Sequence, residues 1–188
     1  MRKHTVAGRG TQGGATLIEI LVSMVILMFG LLGLVGVMVQ SQRAQVEAFQ
    51  REQALLIAQD MVQRMSLNGE VATCYVLATY LGVDVTTPPA ATSCATGTTE
   101  QKARFELDMA EWLDMLRGAA TEVGTTAVGG VPAARGCITR NAATGIYQVS
   151  VAWQGSQGTS APPAGITCGQ TKYDPDTSRR AVALTVLP

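Results

Sequence analysis

The chain has 188 residues, with 14 Lys and Arg against 14 Asp and Glu, and its mean hydropathy is positive. That length holds one domain plus an appendage and excludes two large domains. The absence of a basic excess argues against a nucleic-acid-coating role, and 15% charged residues at this hydropathy exclude a disordered chain and place one segment in lipid. The one histidine is His4. If the N-terminus is removed in maturation, the working chain has no imidazole, and most triad, acid–base and zinc mechanisms lose their usual residue.

Residues 1–14 carry Arg2, Lys3 and Arg9 with no acid, and an apolar run follows over residues 15–39 in which Glu19 is the one charge. As a helix rising about 1.5 Å per residue, the run reaches roughly 37 Å, enough to cross a hydrocarbon core of about 30 Å with some tilt. The basic residues before it and the mixed Arg43, Glu47, Arg51 and Glu52 after it put the N-terminus in the cytoplasm and export the rest. A cleaved secretory signal fits poorly, because Val37-Met38-Val39-Gln40-Ser41 lacks the small-residue pattern of its cleavage site. A plain anchor explains length and flanks but not Glu19, since a carboxylate deep in the bilayer costs a few kcal/mol. Gly30, Gly33 and Gly36 recur every three residues in the run, with Ser23 on nearly the same face, and small residues of this kind let helices approach closely.

Residues 40–67 contain no Gly or Pro. Ala54, Leu55, Ala58, Met61, Val62 and Met65 share one helical face, so the apolar helix continues outward as an amphipathic half, with Gln59, Asp60, Gln63 and Arg64 facing elsewhere and Asn68-Gly69 as its stop. Residues 82–99 hold six threonines and Pro88-Pro89, which reads as an irregular loop. A second helix is expected at about residues 100–117, with Phe105, Met109, Trp112, Leu113 and Leu116 on one face, Asp108 and Glu111 on a solvated face, and Gly118 as its end. From there to Gly136 the chain is rich in Gly, Ala and Thr and shows no period.

Tyr147, Val149, Val151 and Trp153 alternate with Gln148, Ser150 and Ala152, and Val182, Leu184 and Val186 alternate with Ala183 and Thr185, the period of strands with one buried face. Cys137-Ile138-Thr139-Arg140 and a turn at residues 141–145 make a hairpin with the Tyr147 strand. The expected class is α+β, a long N-terminal helix laid on a small antiparallel sheet. Cys74, Cys94, Cys137 and Cys168 lack the C-x-x-C spacing of zinc or thioredoxin-like sites, so in an exported chain they read as disulfides. Three pairings are possible; closeness in sequence favours Cys74 with Cys94 and Cys137 with Cys168.

Gly13-Gly14-Ala15-Thr16-Leu17-Ile18-Glu19 resembles the processing site of type IV prepilins and pseudopilins. The resemblance implies cleavage between Gly14 and Ala15 by a prepilin peptidase, N-methylation at Ala15, and Glu19 as the fifth residue of the mature chain. It also implies a pilin-like fold with three parts: a leader over residues 1–14, a membrane-spanning and fibre-core helix over residues 15–39, and a periplasmic body over residues 40–188. Ala15 departs from the bulky apolar residue with which the family usually begins. In such proteins the helix anchors the subunit in the inner membrane and later packs in the fibre core, where Glu19 would meet an N-terminal amine; two buried charges become tolerable as a pair.

The helix containing Trp112, the run Val149-Ser150-Val151-Ala152-Trp153-Gln154-Gly155, Cys168 and Arg179-Arg180-Ala181-Val182 resemble the PilV type of minor pilin. That resemblance implies partners among other minor pilins, the major pilin and a tip adhesin, with no cofactor and no nucleic acid. A type II secretion minor pseudopilin would share the leader and Glu19. A membrane-anchored periplasmic enzyme is disfavoured, because no Ser–Lys or phosphate-loop motif stands out and the cysteines read as paired.

Overall fold

A computed structural model describes residues 14, 16–118, 122–123, 126–127 and 130–188. The leader over residues 1–13 and the Ala15 position lie outside the described residues. The chain divides after Arg43 into an N-terminal unit and a body, Ala44–Pro188. Helix α1, Leu17–Leu67, has 51 residues. Residues 17–39 are exposed throughout, and the helix is long and apolar enough to cross a membrane. A helix that is apolar all round is stabilised by lipid or by other helices and not by water.

In the body, α1 buries Ala54, Ile57, Ala58, Met61 and Met65. Leu55 and Val62, at the margin of that stripe, are half-buried. Asn68 follows the helix, and a 3-10 turn, Gly69–Tyr75, brings Val71 and Tyr75 into the core. Helix α2, Thr99–Arg117, starts in a capping box in which the Thr98 hydroxyl accepts from the Gln101 N–H and the Gln101 side chain accepts from the Thr98 N–H. It ends at Gly118, whose φ of 72° is the left-handed conformation that glycine adopts without strain. The expected apolar face of α2 is buried as a set.

The sheet has the order β1-β4-β5-β6, all antiparallel: β1 is Leu81–Gly82, β4 Arg135–Arg140, β5 Tyr147–Gln154 and β6 Arg179–Val186. Within the aperiodic stretch, β2 (Glu122–Val123) and β3 (Thr126–Ala127) form a separate two-stranded pair. The residues from 83 to 98 are irregular apart from a 3-10 turn at Ala91–Ser93.

One core joins α1, α2 and a sheet face, built around Met61, Phe105, Trp112, Ile138, Val149 and Val151. Tyr75 meets Phe105 edge-on with ring centroids 5.1 Å apart. The Trp112 indole N–H donates to the Ile57 carbonyl at 3.0 Å, which satisfies the one polar atom of a fully buried ring. Gly136 on β4 lies under the Trp112 ring and the Leu116 side chain; any Cβ there would collide with both.

Strand β5 departs from the expected single buried face, because Ser150 and Ala152 are buried along with the alternating apolar set. The chain between β5 and β6 folds back over the other face, where Cys168 and Tyr173 pack on Ala152 in a second, smaller core. A crossing loop thus covers the face that alternation assigns to water.

Candidate processing and assembly site

Helix α1 opens on Thr16, whose carbonyl accepts the N–H groups of Glu19 at 3.0 Å and Ile20 at 3.3 Å. Glu19 therefore lies in the first turn, where a carboxylate is favoured by the unsatisfied N–H groups of the helix start. The Ser23 hydroxyl donates to the Glu19 carbonyl at 2.7 Å, closing the next turn. Gly14 and Glu19 are exposed.

The body carries its charges differently. Asp108, expected on a solvated face, is fully buried. It lies three residues after Phe105 and four before Trp112, inside the apolar stripe of α2, and that spacing is the signal that sequence reading passed over. Its Oδ2 accepts from the Tyr75 hydroxyl at 2.7 Å, while Oδ1 accepts from Arg64 at 3.1 Å and faces the Arg104 Nε at 2.9 Å. Asn68 completes the cluster by donating to the Tyr75 oxygen at 3.1 Å and to the Gln101 carbonyl at 3.0 Å.

Arg64 and Asp60, expected to face away from the body, are half-buried and join this cluster, with Arg64 also paired to Asp60 and Glu111. Burial alone disfavours the Arg64 charge, but its bonds to Asp60, Glu111 and Asp108 outweigh that and raise its pKa. Burial pushes the Tyr75 phenol up, and the hydrogen bond to Asp108 pushes it the same way. A carboxylate held by two guanidinium groups and a phenol is a structural tie between α1 and α2, with no open oxygen for general-base chemistry.

A second cation, the buried Arg135 on β4, lies over the rings of Tyr173 at 4.8 Å and Tyr80 at 5.3 Å and pairs with Asp84, whose carboxyl it holds below the usual range. A third, Arg179, is forked against Asp176 and donates to the carbonyls of Ile166 and Cys168. Disulfides join Cys74 to Cys94 and Cys137 to Cys168, with Cα atoms 5.1 and 5.6 Å apart. The first pins the turn after α1 to the loop before α2; the second pins β4 to the loop covering the sheet. Among the described residues no three His, Cys, Asp or Glu side chains converge as metal ligands.

Residues 9–35 match the family model described as the prokaryotic N-terminal methylation motif. No curated protein and no solved structure matches the chain. The motif supports a prepilin-type chain, a type IV pilin or pseudopilin, whose family is structural and not catalytic. It implies processing by a prepilin peptidase, membrane anchoring and assembly with other pilin-type subunits.

Proposed function

We propose that this chain is a minor pilin of the PilV type, a subunit that helps initiate type IV pilus assembly and sits at the fibre tip. The observation that carries this reading is the conjunction at the N-terminus: a methylation motif over residues 9–35, with Glu19 in the first turn of an exposed apolar helix that continues into an α+β body. In this reading the peptidase cuts between Gly14 and Ala15, and Ala15 is N-methylated. Residues 15–39 then hold the subunit as a single pass in the inner membrane, with residues 40–188 in the periplasm, before the helix enters the fibre core. Other minor pilins, the major pilin and a tip adhesin are its partners.

The PilV assignment is supported by the Trp112 helix, the run from Val149 to Gly155, Cys168 and the Arg179-Arg180-Ala181-Val182 start of β6. A type II secretion pseudopilin shares the N-terminal features; the body with two disulfides favours the pilus. The Glu19 carboxylate takes the Ala15 amine as its partner in assembly, within one subunit or between two, because either charge alone is costly in an apolar core.

N-terminal sequencing of the membrane form tests the cleavage, with a start at Ala15 expected and a start after Val39 or an intact Met1 refuting it. Glu19→Gln tests the pairing: insertion and cleavage persist while incorporation into fibres falls. Normal incorporation of this variant would reject the pairing. Copurification of the crosslinked intact chain with pilus components, rather than secretion components, decides between the two machines.

A further inference from the structure

The chain between β1 and α2 holds a stretch that neither packs in the core nor enters the N-terminal site. Residues 65–101 contain no Lys or Arg, and between Asp84 and Glu100 there is no charge at all. That uncharged interval carries six threonines and Ser93, with Pro88-Pro89 directly after Thr86-Thr87. An irregular loop of this length inside a small body is uncommon and usually carries a function. Segments rich in Thr, Ser and Pro serve as acceptors of O-linked sugars.

The structure separates the hydroxyls of this loop into two groups. Ser93 donates to the Ala90 carbonyl at 2.7 Å, the Thr96 hydroxyl lies 4.0 Å from the Cys74 sulfur, and Thr98 caps α2. Thr92 sits in the 3-10 turn and Thr99 begins α2. Thr86 and Thr87 are different. Both are exposed and belong to no helix or strand, and among the described residues neither their hydroxyls nor the backbone of residues 86–89 has a hydrogen-bond partner. Pro88 and Pro89 have no N–H to offer, and the residue before a proline is held extended. The display is anchored at both ends. Val85 packs against the core, its carbonyl accepting from the Gly82 N–H at 3.1 Å, and Cys94 is buried in its disulfide. An extended, unbonded backbone with free hydroxyls is the form in which a transferase can draw an acceptor segment into its own cleft.

We propose that Thr86 and Thr87 are acceptor sites for an O-linked neutral sugar. The donor class is a sugar activated as a glycosyl diphosphate. The Thr Oγ1 forms a bond to the anomeric carbon, the bond from that carbon to the diphosphate oxygen breaks, the diphosphate leaves with the electron pair, and the hydroxyl proton passes to a base of the transferase. The neutral class follows from charge. A phosphoryl group or an acidic sugar brings negative charge that Arg or Lys normally meets, whereas this loop lies between Asp84 and Glu100 in a stretch without basic residues. A neutral sugar is bulky and needs only open solvent, which both threonines have.

Intact mass spectrometry without reduction, on the full chain isolated from the cells that make it, tests this. The mass should exceed that calculated for the sequenced N-terminus and two disulfides by one or more whole sugar residues. Electron-transfer fragmentation, which leaves side-chain bonds intact, should place the excess on Thr86 or Thr87. The double variant Thr86→Ala, Thr87→Ala should lose the excess entirely at unchanged melting temperature, since neither hydroxyl has a partner to lose. Thr92→Ala and Thr99→Ala should keep it.

A mass equal to the calculated one overturns the proposal. So does an excess that fragmentation places only on other residues, that survives in the double variant, or that proves to be a phosphoryl group. If the double variant does not accumulate, fragmentation of the natural chain decides alone.

Discussion

Replacing Asp108 with Ala tests whether the buried carboxylate fixes α2 against α1. The side chain is 1% exposed, so nothing in solvent replaces it. Its loss leaves the Tyr75 hydroxyl buried without an acceptor, which costs about 1–3 kcal/mol. The two guanidinium groups suffer less. Arg64 and Arg104 keep 16% and 55% side-chain exposure, and Arg64 retains Asp60 and Glu111, so their joint share is discounted to about 1 kcal/mol. Asp108→Ala should therefore cost about 2–4 kcal/mol, against about 0–1 kcal/mol for Arg104→Ala. Tyr75→Phe, which removes the donor and leaves Asn68 bonded to Gln101, should cost about 1 kcal/mol. The two changes at Tyr75 and Asp108 should couple by about 1 kcal/mol in a double-mutant cycle. The assay is denaturant unfolding of the full chain in detergent, followed by the fluorescence of Trp112 and Trp153, both buried. Equal costs for Asp108→Ala and Arg104→Ala, or strict additivity of Tyr75→Phe with Asp108→Ala, would refute the reasoning.

Raised phenol pKa values at Tyr75 and Tyr173, both caused first by burial, mean that the folded chain keeps protons which the unfolded chain releases above about pH 10. Stability should then fall as pH rises through that range, and Tyr75→Phe should flatten the fall; tyrosinate absorbance and denaturant midpoints measured together check both. At the acid end, Asp84, held low by Arg135, contributes stability above its unfolded pKa of 3.8 that is lost as pH falls through its lower folded value, and Asp84→Asn should remove that part of the acid dependence. Gly136→Ala should destabilise the body by about 1–3 kcal/mol, because the new methyl meets the Trp112 ring and Leu116; an unfolding midpoint equal to that of the unmodified chain would contradict the packing. Each disulfide should contribute about 2–4 kcal/mol, read from the unfolding midpoint of the Cys74→Ser, Cys94→Ser and the Cys137→Ser, Cys168→Ser double variants, and mass spectrometry without reduction should show two bridges.

Elements held together by a single period are legible from sequence. The stripe of Phe105, Met109, Trp112, Leu113 and Leu116 forms one buried face because a helix presents such residues together whatever lies opposite. The alternation from Tyr147 to Trp153 likewise gives β5 its main core face. What escapes is whatever depends on a second element. Asp108 is tolerated in the stripe because Arg64 and Tyr75, 44 and 33 residues away, meet it, and no local pattern announces partners at that separation. The burial of Ala152 depends on a later loop that packs Cys168 and Tyr173 onto it, and the same loop brings the Cys168 sulfur to the Ser150 carbonyl. At the N-terminus the spacing of Gly14 and Glu19 is readable, yet on the proposed reading its chemistry involves an amine that only cleavage would create.

The body and the N-terminal helix meet the same physical demand by different means. A carboxylate in an apolar setting is tolerated when its charge is compensated and its oxygens are hydrogen-bonded. Asp108 is compensated within the chain, by two arginines and a tyrosine, so the interface of α1 with α2 is specified at folding. Glu19 is exposed and has, among the described residues, no side-chain partner for its carboxylate. On the proposed reading its compensation comes from the amine released at Ala15, so it becomes available only after the leader is cut. Removing Arg2, Lys3 and Arg9 takes three of the 14 basic side chains and none of the 14 acidic ones, which leaves the mature chain at a formal net charge of −3. On the same reading, the cut withdraws the basic residues that would hold the leader at the cytoplasmic face and creates the charge that would compensate Glu19, so a subunit left unprocessed would carry an uncompensated acid into any apolar core.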